Sequence, residues 1–189
     1  MIHLPGLVIV AGTGRKVGKT TVACRIIERF RSYNITGVKI SSHFHEPQEH
    51  LKLIHRHTDY IIWEEISSTV DKDSSRMLAS GATRSFYIQA CKGKSVPAFI
   101  KLLEVIPDDS MIVCESPSLV EGIIPGALII VRGDESDSRA SSAFNKEKDL
   151  SIPEGINSYK IKTSEIFKGL AIPLTLNDNG FSIKGLKNL

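Results

Sequence analysis

The sequence predicts an α/β fold in three layers, with a mostly parallel central sheet between helices on both faces. Three observations lead there. A compact apolar, β-branched run at residues 7–11 is stopped by Gly12, as in a strand buried on both sides within a parallel sheet. From residue 19 to 31 the apolar side chains Val22, Ala23, Ile26, Ile27 and Phe30 recur three and four positions apart, which is the stripe of an amphipathic helix. Residues 35–40 form a second apolar run, and strand, helix and strand within about 35 residues make a βαβ unit with a right-handed crossover.

Later elements continue the alternation. Residues 41–58 are polar and histidine-bearing and read as a flexible loop, while residues 60–65 fit either a strand or a short helix. Residues 74–80 read as a helix ended by Gly81, and residues 84–89 have strand character. Residues 96–106 read as a helix with Pro97 in its first turn. After the turn Pro107-Asp108-Asp109, residues 111–114 form a short apolar strand. Residues 127–131 are the clearest late strand. Residues 134–148 are polar and read as a loop with a short helix. The tail, residues 174–184 around Asn177-Asp178-Asn179-Gly180, resembles a β-hairpin. No repeat interrupts the chain, and 189 residues suit one domain spanning 1–189.

Composition excludes more than it selects. Hydrophobic residues make up 41% and charged residues 24%, as in a folded globular chain and unlike a disordered one. A formal charge of +3 is too small to argue for nucleic acid as a partner, and a phosphate site is use enough for some of the lysines. Cys24, Cys91 and Cys114 are odd in number, far apart and placed in apolar runs, so they are expected as reduced core thiols in a reducing compartment. The start lacks a basic leader, and no stretch approaches the roughly 20 residues of a membrane helix. The expected address is the cytoplasm, with no membrane partner.

Between the first strand and first helix lies Gly12-Thr13-Gly14-Arg15-Lys16-Val17-Gly18-Lys19-Thr20-Thr21. A loop that wraps phosphates must turn consecutive backbone N–H groups inward, and Gly18 permits close approach at the positive end of the helix. Lys19 can reach the β- and γ-phosphates as a point charge, and the Thr20 hydroxyl can hold Mg²⁺. The pattern is that of a P-loop, and it refines the expected fold to the three-layer P-loop NTPase class. The usual consensus opens with glycine where this chain has Thr13, flanked by Gly12 and Gly14. Residues Thr13, Gly14, Arg15, Lys16, Val17, Gly18, Lys19, Thr20 and Thr21 are the expected nucleotide-binding set.

Two families resemble the chain. Gly12-Thr13 through Val17-Gly18-Lys19-Thr20 is similar to the phosphate loop of dethiobiotin synthetases, which also tolerates threonine at the opening position. The series Gly37-Val38-Lys39-Ile40-Ser41-Ser42-His43-Phe44-His45, then Asp71-Lys72-Asp73-Ser74-Ser75-Arg76 and Ser80-Gly81-Ala82, resembles molybdopterin-guanine dinucleotide biosynthesis protein B (MobB). That similarity runs from the first strand to about residue 131, with Asp71 in place of the family's glycine and Ser80 in place of its first alanine. It implies a GTP- or ATP-binding accessory protein with slow hydrolysis, working with molybdopterin and a cofactor-biosynthesis protein. Many P-loop proteins of this branch carry a signature lysine at the position of Gly14, for which Arg15 and Lys16 are the candidate substitutes. Members commonly form homodimers, and no exposed apolar helix face commits this sequence either way.

A second acidic group is expected at a strand end, orienting Mg²⁺ across from Thr20. Glu115 follows the run at 111–114 directly and fits, the alternative being a solvated strand-end carboxylate. Glu121, in Val120-Glu121-Gly122, resembles the family's Val-Glu-Gly. Lys39 and Asp73 would meet at the carboxyl edge of the sheet, where open α/β folds bind ligands. Alternatively, Lys39 is a surface lysine and Asp73 caps the 74–80 helix. Together Lys19, Lys39, Asp73 and Glu115 are the expected catalytic set, and Thr20 and Glu115 the Mg²⁺ ligands. His43, His45, His50, His55 and His57 crowd into 15 residues, which raises a metal site beside the plainer reading of a polar loop. The base-reading Asn-Lys-x-Asp element is absent; Asn145-Lys146-Glu147-Lys148-Asp149 is a loose echo, so GTP and ATP both stay open. Three functions compete: the MobB-like accessory binder, an ATP-dependent ligase or kinase resembling dethiobiotin synthetase, and a nucleotide-binding scaffold that acts through protein partners.

Overall fold

Strand, helix and loop boundaries come from a computed structural model, which describes residues 1–44, 46, 48–133, 152, 156–168 and 172–184. The strands are β1 (Ile2–Gly12), β2 (Ile35–Ser41), β3 (Leu51–Arg56), β4 (Tyr60–Glu65), β5 (Arg84–Ala90), β6 (Met111–Glu115), β7 (Ile123–Arg132), β8 (Ser158–Lys162), β9 (Leu174–Asn177) and β10 (Gly180–Ile183). The helices are α1 (Lys19–Arg29), α2 (Asp73–Ala79), α3 (Ser95–Leu103) and the short α4 (Thr163–Phe167), with a 3-10 turn at Leu119–Glu121.

Eight strands form one sheet in the order β3-β4-β5-β2-β6-β1-β7-β8. The six from β5 to β8 run parallel, while β4 is antiparallel to both β5 and β3. β1 shows why the centre is parallel and two-sided. Leu7, Ile9 and Ala11 point into one core with Val38, Phe86, Ile88, Phe99 and Leu102, whereas Val8 and Val10 point into another with Val22, Ala23, Ile26, Ile27 and Val113. All five of these β1 side chains are fully buried, so neither face of the strand tolerates a polar group. The α1 stripe covers the second face. Full burial of Val22 and Ile27 is worth about 1.5–3 kcal/mol each. α3 packs on β4 and β5 from the first face through Ala98, Phe99 and Leu102. Helices therefore lie on both sides of a mostly parallel sheet, the three-layer α/β arrangement.

The tail forms the expected antiparallel hairpin, β9 against β10, turning between Asn177 and Gly180. It seats against β1 and β7, where Phe181 meets Phe30 edge-on with centroids 5.6 Å apart. The seat is tight because β1 shifts register against β7 between Leu4 and Val8. A Cβ at Gly126 would lie 2.1 Å from the Pro5 carbonyl oxygen and 2.6 Å from that of Phe181.

Several expectations need correction. The 41–58 stretch is not simply a polar loop, because residues 51–56 are the edge strand β3, paired among the described residues only with β4. Residues 60–65 are a strand, since pairing with β5 on one side and β3 on the other supplies the backbone partners that a helix would not need. β8 was not foreseen. α1 stops at Arg29 and α3 at Leu103, both short of their apolar patterns. Cys114 is buried and Cys24 half-buried as thiols, but Cys91, just past the end of β5, is exposed and is no core residue. Residues 134–148 lie outside the described residues. No helix among the described residues is long and apolar enough to cross a membrane.

Candidate functional site

β1 leads through α1 to β2, which lies beyond β6, whereas β6 leads on to β7, on the far side of β1. The connections leaving these two neighbours diverge, which makes this the topological switch point above whose carboxyl ends open α/β sheets bind ligands. The 12–20 loop leaves β1 there and Glu115 ends β6 there.

The loop is shaped by two left-handed residues, Lys16 (φ 59) and Gly18 (φ 94); glycine adopts this conformation at no steric cost, while Lys16 does so at some expense. Among the described residues, the turn and loop hydrogen bonds engage none of the backbone N–H groups of residues 14 to 21; the Thr13 N–H donates to Val131 and the Val22 N–H to Gly18. The Thr163 hydroxyl stands 2.9 Å from the carbonyl oxygens of both Val17 and Arg132. It anchors the back of the loop to the β7–β8 edge by its carbonyl side. Lys19 folds back across Gly12, where a Cβ would meet its Cγ and Cδ at 2.8 Å, and its ammonium donates to the Gly14 carbonyl. Burial, helped by the nearby Lys39 charge, lowers the Lys19 pKa below the ordinary lysine value, against the opposing pull of Glu115 and Asp73.

Four more predicted residues converge. Parallel pairing sets Lys39 opposite Glu115, and Lys39 Nζ lies 2.5 Å from Glu115 Oε1 and 2.8 Å from Asp73 Oδ2. The Thr20 hydroxyl lies 2.7 Å from Glu115 Oε2 and 2.9 Å from Asp73 Oδ1. Burial opposes charge on Lys39, but Glu115 and Asp73 outweigh it and hold the ammonium above its usual pKa. Burial likewise opposes ionisation of Asp73, yet the Lys39 charge and the hydrogen bonds from Lys39 and Thr20 keep its pKa below the usual carboxylate value. Asp73 is the first residue of α2 and caps nothing: Lys72 is the N-cap position and no side chain caps this helix. Lys39 is not a surface lysine, with its side chain 18% exposed, and Glu115 is not solvated.

One proton on the Thr20 hydroxyl cannot satisfy two carboxylates at once. A hydroxyl within 2.9 Å of two carboxylates supplies hard oxygen donors of the kind a divalent cation takes when it uses one or two carboxylates and completes its shell with water and phosphate. The donor set therefore fits Mg²⁺. It does not fit Zn²⁺, and among the described residues no three His, Cys, Asp or Glu side chains are grouped to hold a metal.

The histidines go separate ways. His43 Nε2 meets Arg15 at 3.1 Å, His57 stacks on Tyr60 at 4.7 Å, His55 lies 5.8 Å from the same ring, and His50 bonds Glu65. His45 and the 145–149 segment lie outside the described residues. Lys16 and Glu121 are exposed. Sequence reasoning missed Thr163 and Glu65, the partner of His50. Thr163 carries no local signal because its partners are 146 and 31 positions away, whereas Glu65 was visible only as a carboxylate ending an apolar run.

No protein-family model matches the chain, and no curated protein matches it significantly.

Proposed function

We propose that the chain is a P-loop protein that binds a nucleoside triphosphate, GTP or ATP, with Mg²⁺ at the carboxyl ends of β1 and β6. The carrying observation is the convergence of Thr20, Lys39, Asp73 and Glu115 beside a loop whose successive amides have no other partner among the described turn and loop bonds. Those amides and the Lys19 ammonium would take the phosphates. Thr20, with Glu115 and Asp73, would hold the metal, which when bound neutralises charge on the β- and γ-phosphate oxygens. Lys39 holds both carboxylates in place.

The MobB-like accessory role is the leading physiological reading, because Lys39 and Asp73, from two successive motifs of that resemblance, meet at this site. The third motif does not join them: Gly81 turns the chain after α2 and faces Arg31. A specific observation favours the second reading, a small-molecule kinase or ligase: a cavity of about 620 Å³ shares Lys39 and Asp73 with the site and leaves room for a second substrate.

Calorimetric titration of MgGTP and MgATP into wild type and Lys19→Ala tests the proposal. A charge-assisted contact of about 1.5–3 kcal/mol predicts roughly 10- to 150-fold weaker binding by the variant. Equal and negligible affinity in both proteins would end the claim.

A further inference from the structure

The cavity beside Lys39 and Asp73 has a built feature that nucleotide binding does not use. His50 lines it with its side chain 13% exposed. Its Nδ1 lies 3.0 Å from both carboxylate oxygens of Glu65, whose side chain is fully buried. Glu65 also accepts from the Ser74 hydroxyl at 2.9 Å and the Ser67 N–H at 3.0 Å. Strand pairing makes the dyad: His50 directly precedes β3, Glu65 ends β4, and the Ile66 N–H donates to the His50 carbonyl at 3.0 Å.

Burying a carboxylate costs several kcal/mol, which an apolar residue at the end of β4 would avoid. What Glu65 obtains in return is a fixed imidazole, with an N–H held at Nδ1 and Nε2 left as the nitrogen that exchanges protons. In this arrangement Nε2 donates to the Gln48 side-chain oxygen at 2.6 Å, and Gln48 belongs to the same cavity wall. A ligand hydroxyl that displaces Gln48 meets Nε2 instead, which accepts a proton there once it has released its own to solvent. The ammonium of Lys72 and the carboxylate of Glu46 also line the cavity and form no ion pair with a described residue. Such a lining selects a small, strongly polar molecule.

We propose that this cavity is an acceptor subsite, in which the γ-phosphoryl group of the bound nucleotide is transferred to a small hydroxyl compound, with His50 as general base and Glu65 as its positioning residue. The inference rests on the Mg-nucleotide reading above. In the step, the acceptor O–H bond breaks and its proton passes to His50 Nε2. The acceptor oxygen bonds to the γ-phosphorus, and the bond from that phosphorus to the bridging oxygen breaks with its electron pair leaving on the nucleoside diphosphate. Glu65 faces His50 directly, and the other charged or titratable groups that line the cavity with it are Lys39, Glu46, Lys72, Asp73 and Tyr87.

The test compares wild type, His50→Gln and Glu65→Gln with MgATP and MgGTP, in buffer and in molar glycerol as the hydroxyl acceptor. Phosphorus NMR follows inorganic phosphate and glycerol phosphate, and calorimetry follows nucleotide affinity. We expect His50→Gln to bind nucleotide as wild type does but to transfer phosphoryl about 100-fold more slowly, the general-base range. The decline of rate toward acid pH, where an imidazole is protonated, should vanish with it. Glu65→Gln should shift that pH profile rather than abolish it; should Glu65→Gln fail to fold, His50→Gln decides alone. The proposal is overturned by an unchanged rate and pH profile in His50→Gln. It is equally overturned by a wild type that binds Mg-nucleotide yet transfers phosphoryl neither to water nor to glycerol. A wild type that binds neither nucleotide sinks the nucleotide reading itself, and this inference with it.

Discussion

Replacing Lys39 with methionine tests whether charge holds the site together. The lysine contacts Glu115 at 2.5 Å and Asp73 at 2.8 Å, and Coulomb's law at an effective dielectric of about 20 gives roughly 6 kcal/mol for each before desolvation. Desolvating three ionised groups offsets most of that attraction. What survives in the variant is a stranded carboxylate: Glu115 is only 2% exposed, and removing the partner of a buried ion costs about 3–5 kcal/mol. Asp73 adds little, because a side chain 37% exposed is screened by water. Methionine keeps the apolar stem, so packing loss is small. The pH window follows from the shifts. Lys39 is held above 10.5, so its contribution is complete below 10.5 and is lost as pH rises through the raised value; Asp73 is held below 3.8, so its contribution is complete above 3.8 and is lost as pH falls through the lowered one. Urea unfolding near neutral pH therefore lies on the plateau, and there Lys39→Met should lose about 3 kcal/mol. Adding Glu115→Gln should restore most of that loss, since it removes the stranded charge, and Mg²⁺ should stabilise the single variant more than wild type. A Lys39→Met protein within about 0.5 kcal/mol of wild type would refute the account, because only a solvated, dispensable ion pair behaves that way.

Two further outcomes follow from other parts of the molecule. Lys19 gives up its proton below 10.5, yet a triphosphate needs the ammonium, so alkaline binding must take up a proton and affinity must decline earlier than for an ordinary lysine. Titrations at about pH 9 in buffers of different ionisation enthalpy should give different heats, and Lys19→Arg, charged throughout, should abolish the difference; identical heats for wild type contradict the reading. Gly126→Ala places a methyl against the Pro5 and Phe181 carbonyl oxygens at 2.1 and 2.6 Å, backbone atoms that cannot swing aside. It should cost at least about 2 kcal/mol in chemical denaturation, and a loss near zero would mean that the hairpin does not sit on β1.

The central strands and the first helix were legible because their patterns are local. A strand buried on both faces needs consecutive apolar residues, and residues 7–11 supply them whatever lies beyond. Edge strands give no such signal. In β8 only Ile161 is buried, and β3 has no fully buried residue at all, so each looks like polar loop until a partner supplies its hydrogen bonds. The partner of β8 is β7, whose strand ended about 25 residues earlier in the chain.

The site divides along the same line. Chemistry at a strand end is visible in sequence as a charged residue closing an apolar run, which is how Glu115 was found. Lys39, followed by Ile40, was instead a candidate for its place with Asp73 at the carboxyl edge of the sheet. That Lys39 and Glu115 touch is a consequence of strand order, since β6 inserts between β1 and β2 although about 70 residues separate it from β2. Once inserted, register does the rest: Glu115 pairs with Val10 on one side and Lys39 on the other, so its carboxylate stands between the loop that leaves β1 and the lysine on β2. Moving β6 by one residue would turn Glu115 to the opposite face, away from α1 and α2, and put the thiol of Cys114 in its place. Burial pushes that thiol well above its ordinary pKa, so the half-exposed Asp73 would be left to balance Lys39 and to accept from the Thr20 hydroxyl without a second carboxylate. The apolar alternation of 111–114, with Val113 required in one core and Cys114 in the other, is therefore what aims the carboxylate.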